Sequence, residues 1–132
     1  MRYLWDTDAV VLFLRGKIQE ENPWWKMLAN DDNAVSSVTY GELEYGACRS
    51  GNYQREKVKI GRFFDIVATQ ETLTREIWEI YGAARTKLEQ AGERLADFDL
   101  LIASTAVVTK RVLVTRNVKH FSRFPGLKIY GN

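Results

Sequence analysis

The feature that most constrains this chain is an alternation. Brief apolar runs, each too short for a helix, are separated by stretches with helical spacing. Tyr3-Leu4-Trp5, Ala34-Val35-Ser36, Ile66-Val67, Val112-Leu113-Val114 and Leu127-Lys128-Ile129-Tyr130 read as strands. Between them, Asp8 is placed to cap a helix through Leu14 that Gly16 ends, and Asn22-Pro23 opens another that aligns Trp24, Met27 and Leu28. Further helices are expected from Thr39 to about Arg49 and from Tyr53 to about Phe64. The longest, capped by Thr69 or Thr72, carries Leu73, Ile77, Ile80, Tyr81, Ala84 and Leu88 at helical spacing and stops at Gly92. The last begins at Asp97 or Phe98 and stays apolar through Val108. Short buried strands alternating with helices predict an α/β sandwich around a mostly parallel central sheet. With 132 residues and no Pro/Gly/Ser-rich linker, one domain over residues 1–132 is expected.

Composition narrows the setting. Cys48 is the sole cysteine, so no intrachain disulfide forms, as suits a reducing cytosol. Asp6 interrupts the N-terminal apolar stretch too early for a signal peptide, and Ala9–Leu14 is too short to span a bilayer. The expected location is the cytoplasm, with no membrane partner. The net charge of +2 conceals an asymmetry: after Asp99 there are six cations and no acid, whereas the first 99 residues hold thirteen cations against seventeen acids. A basic tail of this kind suits either a polyanionic partner or an ordinary solvated surface.

In a parallel sheet, ligands bind beyond the carboxyl ends of the strands. Asp6 follows the first strand, with Asp8 close behind. Glu42 follows the second by part of a helix. Asp97 and Asp99 start the last long helix, and Asn117 follows the strand through Val114. Taken singly, each has an ordinary explanation. Thr39-x-x-Glu42 matches a capping box, and Asp97 or Asp99 suits a helix N-terminus. Taken together they predict carboxylates gathered at one sheet edge, where repulsion favours a cation. Oxygen donors favour Mg²⁺ or Mn²⁺, while one His and one Cys cannot make a usual zinc site. Such an ion supports hydrolysis of a phosphodiester.

These segments also carry a resemblance. Leu4-Trp5-Asp6-Thr7-Asp8, Val35–Ala47 with Glu42 inside it, Leu95–Ala106 with Asp97 and Asp99, and Leu113–Phe121 followed by Phe124–Leu127 resemble, in order, the four motifs of VapC-type PIN-domain ribonucleases. The resemblance implies a PIN-like sandwich and a metal-dependent endoribonuclease acting as the toxin of a type II toxin–antitoxin pair. It further implies an RNA substrate, a homodimer and a cognate antitoxin. By position it makes Asp6, Glu42 and Asp99 the catalytic, metal-holding acids. Asp97, Asp8, Asn117 and His120 form a second tier, since His120 stands where many relatives carry a carboxylate. Arg116, Lys119 and Arg123 are candidates for RNA contact.

Two other functions compete. A non-cleaving PIN-like module would bind RNA or a partner, and the departure at His120 favours it. An Asp-nucleophile phosphohydrolase would use Asp6-Thr7-Asp8, but the later motifs fit it less well. Trp24 and Trp25 cannot both face one core, which points one of them to a surface a partner covers. Trp5 and Tyr40 are possible stacking partners for RNA bases.

Overall fold

The protein is represented by a computed structural model that describes residues 1–131. Its elements, in chain order, are β1 (Arg2–Trp5), α1 (Thr7–Leu14), α2 (Pro23–Asn30), β2 (Asp32–Ser36), α3 (Ser37–Arg49) and α4 (Tyr53–Ile66). They continue with β3 (Thr69–Glu71), α5 (Arg75–Gln90), α6 (Asp97–Val108), β4 (Val112–Thr115), α7 (Val118–Phe121) and β5 (Ile129–Gly131). The five strands form one sheet in the order β3-β2-β1-β4-β5, and every pairing is parallel. The expected α/β sandwich is therefore what the chain adopts. No helix among the described residues is long and apolar enough to cross a membrane.

The alternation of side chains along a strand builds two cores from the same three strands. On one face, Tyr3, Trp5, Val35 and Val114 pack with Val10, Trp24, Leu43, Ala47 and Phe63 of the first four helices. On the other, Leu4, Ala34 and Leu113 meet Ala84, Leu88, Leu100, Ile102 and Phe121 from α5, α6 and α7. A one-residue slip of β1 would exchange these faces, so its register is strongly specified. Trp5 is fully buried and donates Nε1–H to Asn33 Oδ1 at 2.9 Å. It therefore cannot stack on an RNA base. The two adjacent tryptophans diverge: Trp24 is buried edge-on against Trp5, while Trp25 stacks on Phe13 and remains 37% exposed.

Several expected boundaries shift, each for a local reason. Asp6, not Asp8, caps α1, its carboxylate accepting from Ala9 N–H at 2.7 Å. α3 follows β2 without a loop and is capped by Ser36, so Thr39 lies buried inside the helix and no capping box forms with Glu42. Ile66 ends α4 rather than beginning a strand, and the short edge strand comes later, at Thr69–Glu71. Thr74 caps α5, displacing Thr69 and Thr72 from that role. The last strand is shifted to Ile129–Gly131, and the single-turn α7 was not legible as a helix. Gly16 and Gly92 follow the ends of α1 and α5 with φ of +66° and +71°, the left-handed conformation that glycine adopts at least cost.

Candidate active site

Strand order reverses between β1 and β4, whose outgoing connections lead to opposite sides of the sheet. A crevice is expected at such a switch point, beyond the carboxyl ends of the two strands. Asp6 leaves β1 there, its N–H held by the Val114 carbonyl at 3.1 Å. Both of its oxygens are engaged: Oδ1 accepts from Ala9 N–H, and Oδ2 accepts from the Thr115 hydroxyl at the end of β4. A side-chain bond thus spans the two strands at the point of reversal.

Glu42, one turn into α3, is half-buried. Its Oε1 accepts from Thr7 Oγ1 at 2.6 Å, and that hydroxyl lies 3.0 Å from Thr39 Oγ1. Asp99, in the first turn of α6, meets His120 of α7, with Oδ2 2.9 Å from Nε2. The other ring nitrogen, Nδ1, lies 3.0 Å from Arg123 Nη2, which only donates. Nδ1 is therefore the acceptor and Nε2–H the donor to Asp99, a tautomer that follows from the network. Each of the three acids is consequently oriented by a neutral donor on a neighbouring element.

Burial pushes the Asp6 carboxyl up to about 6, against the bonds from Thr115 and Ala9 that favour its ionised form; Asp8 and Asp99 add repulsion. Burial likewise raises Glu42, opposed by Thr7 and reinforced by Asp99 and Asp8. Asp6 and Glu42 thus each feel the negative charge of Asp8 and Asp99. Among the described residues, no three His, Cys, Asp or Glu side chains converge closely enough to grip an ion by themselves. An all-oxygen set this loose suits a hard divalent ion that retains several waters, and it does not suit zinc.

The second-tier residues divide. His120 joins the acids through Asp99. Asp97 is exposed and bonds instead to α5, to Tyr81 Oη at 2.9 Å and Arg85 Nη1 at 3.3 Å. Asn117 is also exposed; only its backbone N–H takes part, donating to Thr115 Oγ1. Asp8 lies in the first turn of α1 and is exposed. Arg116, Lys119 and Arg123 are exposed and follow β4. Sequence reasoning overlooked Thr7 and Thr115, whose hydroxyls hold Glu42 and Asp6, and Thr39, whose hydroxyl contacts that of Thr7. Thr115 ends its strand, so the edge rule that selected Asp6 also reaches it. Thr39 was read as a cap, and nothing local distinguishes Thr7 from any threonine in a first helical turn.

Comparison with known proteins accords with this geometry. The PIN-domain family model matches residues 3–127. Ribonuclease VapC2 of Rickettsia felis is 33% identical over 128 residues, covering 96% of this chain and 95% of the relative. Ribonuclease VapC1 of Haemophilus influenzae is 32% identical over 130 residues, with 97% and 96% covered. Among solved structures, VapBC2 from Rickettsia felis, bound to a DNA fragment from its promoter, superimposes with a TM-score of 0.92 at 30% identity, covering 100% of this chain and 99% of the other. The strand order, the acids at the switch point and these relatives lead to one assignment: the chain belongs to the PIN-domain family and, within it, to the VapC ribonucleases.

Proposed function

We propose that this protein is the endoribonuclease toxin of a type II toxin–antitoxin pair, acting in the cytoplasm and held inactive by a cognate antitoxin. The observation that supports the chemistry is that Asp6, Glu42 and Asp99, at the end of β1, one turn into α3 and in the first turn of α6, are each oriented by a neutral donor and none is paired with Lys or Arg. PIN-domain nucleases of the VapC type generally depend on a divalent metal, and here Mg²⁺ or Mn²⁺ fits the oxygen donors. When bound, the ion offsets the crowded negative charge, polarises a phosphoryl oxygen and makes a water more acidic.

The chain's own residues supply the positioning. Thr115 and the Ala9 N–H hold Asp6, so its carboxylate cannot rotate away from the crevice. Thr7 does the same for Glu42, and His120, itself held by Arg123, for Asp99. Such pre-orientation matters because a misplaced acid costs rate even when it remains present. In the hydrolysis, a water oxygen adds to phosphorus as the bond to the leaving oxygen breaks. Exposed Arg116, Lys119 and Arg123 then face the RNA backbone, where cations act without reading sequence. Asp97, tied to Tyr81 and Arg85, holds the packing of α5 against α6, and Asp8 adds negative charge near the ion.

The whole chain acts as one PIN domain, and a homodimer is the expected assembly. Brief expression of wild type and of Asp99→Asn, followed by sequencing of cellular RNA ends, tests the proposal. New ends with wild type alone support cleavage at this site. Identical ends from both contradict it. No new ends from either, with metal-activated purified protein still binding RNA, would favour the non-cleaving module.

A further inference from the structure

Among the described residues, one buried side-chain polar atom has no hydrogen-bond partner, and it is Trp24 Nε1. Tyrosine and tryptophan usually find a partner for the polar atom they bury, and an N–H left alone costs on the order of 1–3 kcal/mol. The Trp24 ring, 1% exposed, lines a cleft shared with Leu12, Lys17, Ile18, Asn22 and Arg116. Its volume is about 340 Å³, several times the roughly 30 Å³ of a water molecule, which leaves room for a hydrated anion.

The polar lining is one-sided. Lys17 and Arg116 make no ion pair with any described residue. Asn22 commits its side-chain oxygen to capping α2, accepting from Trp24 N–H at 2.9 Å, which leaves its amide NH₂ as the available group. No acid lines the cleft. Two cations and a carboxamide donor, beside a buried indole N–H from which no described residue accepts, complement an anionic oxygen.

The cleft also has a fixed relation to the acids. Arg116 follows Thr115, which holds Asp6, and Leu12 and Lys17 lie toward the far end of the helix that Asp6 caps. An eight-residue helix is about 12 Å long, so the cleft lies within about one helix length of the carboxylates. We propose that Trp24, Lys17, Asn22 and Arg116 form a subsite for a backbone phosphate of single-stranded RNA, flanking the bond that is cut. The subsite rests on the RNA-cleaving reading and adds to it what holds the strand in register. Lys17 and Trp24 come from outside the basic tail, so the strand is held from both sides of the switch point.

The test uses the full chain carrying Asp99→Asn, which blocks turnover, with a ten-nucleotide single-stranded RNA of mixed sequence and, separately, sodium phosphate. The readout is the indole N–H resonance of Trp24, identified by its disappearance in Trp24→Phe. The resonance is expected to shift saturably with RNA. Lys17→Ala and Arg116→Ala should each weaken RNA binding, by about tenfold at low salt. Each should also flatten the log–log salt dependence by roughly 0.7. Trp24→Phe should lose affinity with no change in that slope, since it removes a neutral donor. A resonance that RNA leaves in place, or one that only free phosphate moves, overturns the subsite. So does an unchanged affinity and slope for Lys17→Ala, a surface variant that does not depend on the fate of Trp24→Phe. Metal-dependent cleavage by wild type alongside those results would leave the active site standing; its loss would remove both.

Discussion

Two groups of acids in this molecule have similar components and opposite settings. Around Arg111, whose side chain is 3% exposed, Asp32 Oδ1 and Glu71 Oε1 lie 3.0 and 3.2 Å from the guanidinium, and the Tyr3 carbonyl accepts from it at 3.3 Å. With Arg2 Nε also 3.6 Å from Asp32 Oδ2, two cations face two acids there and the charge is balanced within the chain. At the switch point, Asp6, Glu42 and Asp99 have hydroxyls, a backbone N–H and an imidazole for partners, and none has a lysine or arginine. Donors of that kind fix orientation while leaving the net negative charge uncancelled. The first group ties β4 to β1 and β2. The second leaves its charge without a cationic partner, at a cost in stability that a balanced cluster avoids.

The comparison breaks most visibly on substitution. Asp99→Asn and Glu42→Gln should each reduce RNA cleavage by about a hundredfold or more, the scale expected when a key electrostatic group is removed from a site. Urea unfolding should change by no more than about 0.5 kcal/mol for Glu42→Gln, because the amide oxygen can still accept from Thr7. Full activity with normal stability would demote Glu42 from the site. Arg111→Met should do the reverse. Loss of its buried charge and of the bonds to Asp32, Glu71 and Tyr3 should lower stability by about 3 kcal/mol, measured by urea unfolding, with activity per folded molecule unchanged. A stability like wild type would show that the balanced cluster does not hold the sheet.

A smaller effect concerns pH in metal-free protein. The Asp6 carboxyl is raised from 3.8 to about 6 on folding, so between those values the native state binds a proton that the unfolded chain does not. Stability therefore falls as pH rises through this window, and the penalty is fully in place above about 6. Lowering the pH from 7 to 5 should strengthen the fold by about 1 kcal/mol from this group, read as an increase in unfolding free energy. Asp6→Asn should flatten that part of the profile and stabilise the protein at pH 7 while abolishing cleavage. An unchanged profile in the variant would mean that the burial of Asp6 is not the source.

These two groups were unequally legible in the sequence. Asp6, Glu42 and Asp99 stood out because each follows a strand or opens a helix, and parallel pairing then brings those ends together. The pattern did not choose between His120 and Asn117, since both follow β4; of the two, His120, on the single turn of α7, is the one that contacts Asp99. Asp97 and Asp99 are two residues apart on α6, and helical geometry sends them in different directions, one to Tyr81 and Arg85 and the other to His120. Thr39-x-x-Glu42 misled because Ser36 provides an earlier cap, and a cap's position depends on where the preceding strand stops. The Arg111 cluster joins residues distant in sequence through side chains, and no local spacing marks it. Alternating strands and helices predicted the sheet for the opposite reason: its information is repeated in every segment.

On the proposed function, a divalent ion completes the unbalanced acids at the switch point before RNA is cut. Cleavage of single-stranded RNA by purified wild-type protein tests this, first in excess chelator and then with Mg²⁺ or Mn²⁺ restored, with Asp99→Asn as control. Activity should vanish in chelator, return with either ion in wild type, and remain absent in the variant. Undiminished cleavage by wild type in chelator would contradict the account.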